Sequence, residues 1–196
     1  MPNIFFTSDT HFGHANACKF MRNDGVTKLR PWDTAEEMDE AMVQLWNNTV
    51  NPNDKVYHLG DVVINRKALP ILDRLNGNKV LIKGNHDIFK LQDYTKYFRD
   101  IRAYQVMPKR FVASHMPIHD DSVNRFKFNV HGHLHSNNVM MEQNYWSADV
   151  PDPRYICVCV EQTGFKPIAL EEIDVIMASR DISGFTNTDH SAKDVG

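Results

Sequence analysis

The stretch Lys79-Val80-Leu81-Ile82-Lys83-Gly84-Asn85-His86-Asp87 constrains the fold of this chain more than any other. Val80 to Ile82 is a short apolar run and reads as a buried strand. Gly84 then permits a sharp turn or a close backbone approach. Three polar side chains able to bind a metal or move a proton follow in a row. The same order recurs. Ile4 to Ser8 precedes Asp9-Thr10-His11, and Val56 to Leu59 precedes Gly60-Asp61. Phe128 to His131 precedes Gly132-His133-Leu134-His135, and Phe111 to Ser114 ends in His115. Open α/β sheets deliver chemistry at the carboxyl edge of their strands, so these deposits can converge.

Other segments fit around these strands. Thr34-Ala35-Glu36-Glu37 has the form of a capping box, which predicts a helix start. Met38, Ala41, Met42, Leu45 and Trp46 recur at helical spacing and form its buried face. Asn51 to Asp54 is a turn, Lys67 to Leu75 a short helix, and Phe89 to Phe98 contains another. Ile101 to Val106 and Arg110 to Ser114 read as a hairpin joined at Met107-Pro108-Lys109. Met116 to Arg125 reads as loop, Ser136 to Pro153 as a surface excursion, Tyr155 to Val160 as a strand and Leu170 to Ala178 as a closing helix. The expectation is one α/β domain over 1–183, with a flexible C-terminal tail over 184–196. The first half alternates strand and helix and the second is strand-rich, which suggests a mixed, layered arrangement.

Composition narrows the function. The 196 residues carry a net charge of -3, which gives no global basic footprint for long nucleic acid. No apolar run approaches membrane-spanning length. Cys18, Cys157 and Cys159 form an odd set without zinc-finger spacing, consistent with a reducing compartment, and a cytoplasmic protein is expected. Ten histidines against three cysteines tilt any metal site toward imidazole and carboxylate.

Asp9 and His11 are two apart, as are His133 and His135, so each pair can chelate one ion from one side of an extended chain. With Asp61, Asn85 and His115 they make seven candidate ligands, too many for one ion with an open position. They suit two ions sharing a bridging carboxylate. Ions about 3.5–4 Å apart favour in-line displacement at phosphorus. The donor mix suits zinc, manganese, iron or nickel rather than calcium; the expected cofactors are two divalent ions, manganese first. His86, beside Asn85, would stand at the rim as a general acid.

These blocks, Asp9-x-His11, Gly60-Asp61, Gly84-Asn85-His86-Asp87, His115 and Gly132-His133-x-His135, occur in the order of the calcineurin-like metallophosphoesterase motifs, and from Asp9 to His135 the chain resembles that family. The resemblance implies a four-layer α/β/β/α sandwich of two mixed β-sheets flanked by helices. It implies that Asp9, His11, Asp61 and His135 hold one metal, and that Asp61, Asn85, His115 and His133 hold the other. A metal-bridging hydroxide would attack phosphorus, and His86, oriented by Asp87, would serve the leaving group. Many members carry an aspartate three residues after the Gly-Asp aspartate, where this chain has Ile64. The loop from Asp9 to Asn16 and the nearby Arg30-Pro31-Trp32 look like the small bacterial and phage branch.

Three further residues are candidate substrate contacts: His14 beside the first motif, Arg30 as a phosphate clamp, and His119 in the loop after His115. His58 and His131 lie inside strands and are read as packed. The expected substrate is a small phosphorylated molecule such as a nucleotide, cleaved at a phosphodiester. Rival readings are a phosphomonoesterase or protein phosphatase, a mononuclear ester hydrolase, and a non-catalytic scaffold with the same fold.

Overall fold

A computed structural model describes residues 2–108, 110–141 and 150–185. Among the described residues, nine strands form two mixed sheets flanked by helices. The first sheet contains β1 (Ile4–Thr7), β2 (Lys55–His58), β3 (Asn78–Ile82), β4 (Asp100–Arg102) and β9 (Ile168–Ala169), in the order β4-β3-β2-β1-β9. Only β9 runs antiparallel to its neighbour. The second contains β5 (Tyr104–Met107), β6 (Phe111–Ser114), β7 (Asn129–His131) and β8 (Tyr155–Cys157) in sequence order, with only β5 antiparallel.

The alternation of side chains along each strand separates two cores. Phe5, Val56 and Leu81 face one way, against Met38, Met42 and Trp46 of α1 (Ala35–Thr49). Phe6, Tyr57, Val80 and Ile82 face the other way and meet Phe111, Ala113, Val130 and Ile156 of the second sheet. Ile173 of α4 (Leu170–Ser179) closes that inter-sheet core. α1 begins at a complete Thr34–Glu37 capping box, as its sequence predicts.

Several boundaries differ from the sequence reading. The 101–106 segment is two strands in two sheets, because the chain leaves the first sheet at Arg102 and enters the second at Tyr104. The 66–74 segment winds as a 3-10 helix capped by Asn65, and Pro70, which has no N–H to donate, lies inside it. The helix expected within 89–98 is the short α2 (Leu91–Tyr94), and the loop after His115 contains another, α3 (Asp120–Val123). The strand beginning at Tyr155 ends at Cys157, and only an isolated parallel bridge, Ser8 to Cys159, continues it. That bridge ties the two sheets together at one edge. Gly184 and Phe185 close a 3-10 turn, with Phe185 4.3 Å from the Arg154 guanidinium. The remainder of the expected tail lies outside the described residues, as do residues 142–149 of the expected surface excursion. Among the described residues, no helix is long and apolar enough to cross a membrane.

α1 also pins the first functional loop. The Asp39 carboxylate accepts the Gly13 N–H with both oxygens, at 2.9 and 3.1 Å. Burial pushes the Asp39 pKa from 3.8 up to about 6. The folded pKa lies above the unfolded one, so Asp39 contributes fully at low pH and that contribution is lost as pH rises through about 6. Asp39→Asn keeps the acceptor and removes the charge. It is expected to raise unfolding stability at pH 8 by about 1 kcal/mol, the group being partly screened by solvent. The gain should vanish by pH 4, and thermal melts at both pH values check it.

Candidate metal centre

β1, β2, β3, β6 and β7 all end at one edge, and the turn after each carries the candidate ligands. The backbone there is under strain. Asp9, His11, Asp61, His133 and His135 have φ of 59°, 47°, 58°, 69° and 52°. Left-handed conformations outside glycine cost of order 1–3 kcal/mol each, and they cluster where a site is held against local preference. Backbone bonds lock these turns: Asp9 N–H donates to Gly60 O at 3.0 Å and His11 N–H to Asp61 O at 3.0 Å. Close approach of neighbouring side chains requires glycine at positions 84 and 132, among others. A Cβ on Gly84 would collide with the Asp61 carboxylate and lie 2.9 Å from His115 Cε1. A Cβ on Gly132 would collide with the Ser8 hydroxyl and lie 2.5 Å from Asp9 Oδ2.

Two ligand groups result. Asp9, His11 and His135 present donor atoms within 4.8 Å of one another, and so do Asp61, His115 and His133. Asp61 Oδ2 lies between them, 3.7 Å from His11 Nε2 and 3.5 Å from His115 Nε2. Asn85 Oδ1 joins the second group, 2.8 Å from His115 Nε2.

The donor set fits bound cations. Asp9 Oδ2 accepts from Ser8 Oγ at 2.5 Å, His133 N at 2.8 Å and Cys159 Sγ at 3.2 Å. Its other oxygen, Oδ1, is buried without a donor and faces His11 Nε2 at 3.7 Å and His135 Nε2 at 3.9 Å. An unpaired buried acceptor costs about 1–3 kcal/mol, which a cation would offset. His115 Nδ1 donates to Leu59 O at 2.7 Å, so in the neutral ring Nε2 carries a lone pair. That lone pair meets Asn85 Oδ1, and a cation relieves the repulsion. Burial alone would raise the Asp9 pKa, but His11, the fields of His115 and His135, and the Ser8 hydroxyl together hold it well below the carboxylate range.

Supporting residues complete the centre, and the sequence reading did not single out the main one, Glu161. Its buried Oε1 accepts from His135 Nδ1 at 3.0 Å, which leaves His135 Nε2 facing Asp9. A carboxylate behind an imidazole fixes the tautomer and raises ligand basicity. Arg30 holds Glu161 in turn, at 2.9 Å from Nε and 2.7 Å from Nη2. The sequence signal for Glu161 was weak: it is one acid just after the β8 segment, distant from every motif.

Three candidate assignments change. Arg30 is fully buried, and its guanidinium also donates to Thr10 O at 2.7 Å and Asp9 O at 2.6 Å. With those donors engaged, it braces the ligand loop from behind and is not a phosphate clamp. Asp87 does not orient His86. Its buried carboxylate accepts the backbone N–H groups of Asp61 at 2.9 Å, Val62 at 3.0 Å and Gly84 at 2.8 Å, so it shapes the Asp61 turn. His119 caps α3 and lines a different groove, with Asp152 and Arg154. It forms an exposed group with Asp120 and Asp121, apart from the centre.

His86 and His14 do reach the centre. The exposed His86 ring lies 5.5 Å from the His11 ring, and its backbone N–H donates to Asp61 Oδ1 at 2.8 Å. The His14 ring lies 5.8 Å from His11, and burial lowers its pKa. His58 and His131 are buried in β2 and β7 and belong to neither ligand group. His58 meets the Thr10 hydroxyl at 2.9 Å.

The sequence model of the calcineurin-like phosphoesterase family matches residues 2–175. The chain belongs to the calcineurin-like phosphoesterase family. An uncharacterised protein of Methanocaldococcus jannaschii is 33% identical over 177 residues, 88% of this chain and 90% of that protein. The gene 66 protein of Mycobacterium phage D29 is 36% identical over 92 residues, 44% of this chain and 41% of the phage protein. The crystal structure of a protein of unknown function from Aquifex aeolicus superposes with a TM-score of 0.65 at 25% identity, covering 90% of this chain and all of that one. Calcineurin-like phosphoesterases are metal-dependent, and the described residues of this one bring two candidate ligand groups together where strands of both sheets end.

Proposed function

We propose that this calcineurin-like phosphoesterase is a dinuclear metal-dependent hydrolase that cleaves a phosphodiester in a small, nucleotide-like substrate. One observation carries the reading: a single carboxylate oxygen, Asp61 Oδ2, lies between imidazoles of the two ligand groups, at 3.7 and 3.5 Å. Asp9, His11, Asp61 and His135 would hold one divalent ion, and Asp61, Asn85, His115 and His133 the other. Bound there, two divalent ions, manganese first, would supply Lewis acidity and lower the pKa of water, both of which favour hydrolysis at phosphorus.

The chain's own residues do the rest. Glu161 holds His135 in one tautomer, and Asp87 fixes the turn that aims Asp61. His86 stands exposed at the rim, where it can give a proton to the departing oxygen. The oxygen of water adds to phosphorus, the ester P–O bond breaks, and the departing oxygen leaves protonated. An alkoxide needs that proton far more than a nitrophenolate does.

His86→Ala is therefore expected to reduce turnover of an alkyl diester by about 10²–10⁴-fold. The same change should cost a nitrophenyl diester less than about tenfold. A manganese-supplemented panel of mono- and diesters, including cyclic nucleotides and dinucleotides, checks both. Equal losses on alkyl and nitrophenyl esters would remove His86 from the role of acid.

A further inference from the structure

We propose that the cavity beside the Asp9 ligand group is the seat of an uncharged planar ring carried on the leaving-group side of the ester. This deepens the phosphodiesterase reading and rests on it. The cavity encloses about 240 Å³. Its apolar wall is Ala17, Phe20, Leu29 and Ile64. His11 and His135, two imidazoles of the Asp9 group, also line it, so the cavity is continuous with the metal centre. His86 lines it too, and a group leaving with a proton from His86 starts at this cavity.

Three features select the occupant. Phe20 is half-exposed and is held edge-on by His14, with centroids 5.7 Å apart and planes at 87°. An aromatic ring so held offers a stacking face. The only Lys or Arg among the described lining residues is Arg30, whose guanidinium is buried against Glu161 and two backbone carbonyls. No Lys or Arg of the described wall is therefore free to pair with a second phosphate or a carboxylate. Drug-sized ligands occupy roughly 300–1,000 Å³, so this volume suits one ring system. An aryl group or a single nucleobase meets all three conditions.

The test compares phenylphosphonate with methylphosphonate by calorimetric titration of the manganese-loaded full chain. Burying the ring is expected to give phenylphosphonate about tenfold or greater preference. Phe20→Ala and, separately, Ile64→Asp are expected to narrow that ratio to about threefold or less. Phe20 is half-exposed and Ile64 partly so, which leaves the fold intact in both variants. Equal binding of the two phosphonates overturns the ring seat, as does a preference that survives both substitutions. If neither phosphonate binds and no phosphate ester is hydrolysed, the phosphoesterase reading itself falls. If both bind equally while diesters are still hydrolysed, only the ring seat falls.

Discussion

Asp61→Asn is expected to weaken both metal positions together and to reduce hydrolysis by at least about 10³-fold, roughly 4 kcal/mol of lost transition-state stabilisation. The substitution is chosen because it spares the fold. Asp61 Oδ1 accepts the His86 N–H at 2.8 Å, and asparagine retains an oxygen there. What changes is Oδ2, the atom between His11 and His115. An amide nitrogen in its place is a donor and cannot ligate on either side. Metal titrations of the variant read the result directly. Loss of one ion with the other held at wild-type affinity would mean that Asp61 serves a single position.

Arg30→Met is expected to destabilise the protein by about 3–5 kcal/mol, because it strands the buried Glu161 carboxylate. The sulfur of Met38 already lies 3.4 Å from Arg30 Nη1, so a methionine enters a compatible environment and the loss isolates the charge. Glu161→Gln in the same chain removes the stranded charge and is expected to restore most of the stability. It keeps an acceptor for His135 Nδ1, yet weakens the electrostatic support behind that ligand, and metal affinity should fall about tenfold or more. Urea unfolding of the two variants separates brace from clamp. A phosphate clamp would leave stability unchanged on Arg30→Met and raise only KM.

The convergence of the candidate ligands was legible because each member follows a strand, several behind a glycine, and short-range spacing reports such placement well. α1 was legible for a similar reason, since its capping box and apolar stripe are local. Contacts made at long range were not. Arg30 looks like any loop arginine until Glu161, 131 residues away, closes on it. Asp87 adjoins His86 in sequence, which suggests a partnership, but its carboxylate turns inward to backbone amides near residue 61. His119 follows a ligand by only four residues, yet the chain after His115 turns away into α3. The break at Ala103, where one apparent strand crosses between sheets, carries no strong turn residue to betray it.

Anomalous diffraction from crystals soaked in manganese tests the dinuclear centre most directly. Two peaks are expected, one among Asp9, His11 and His135 and one among Asp61, His115 and His133, with Asp61 touching both. A single peak, or ions bound only at the exposed His119 group, would contradict it.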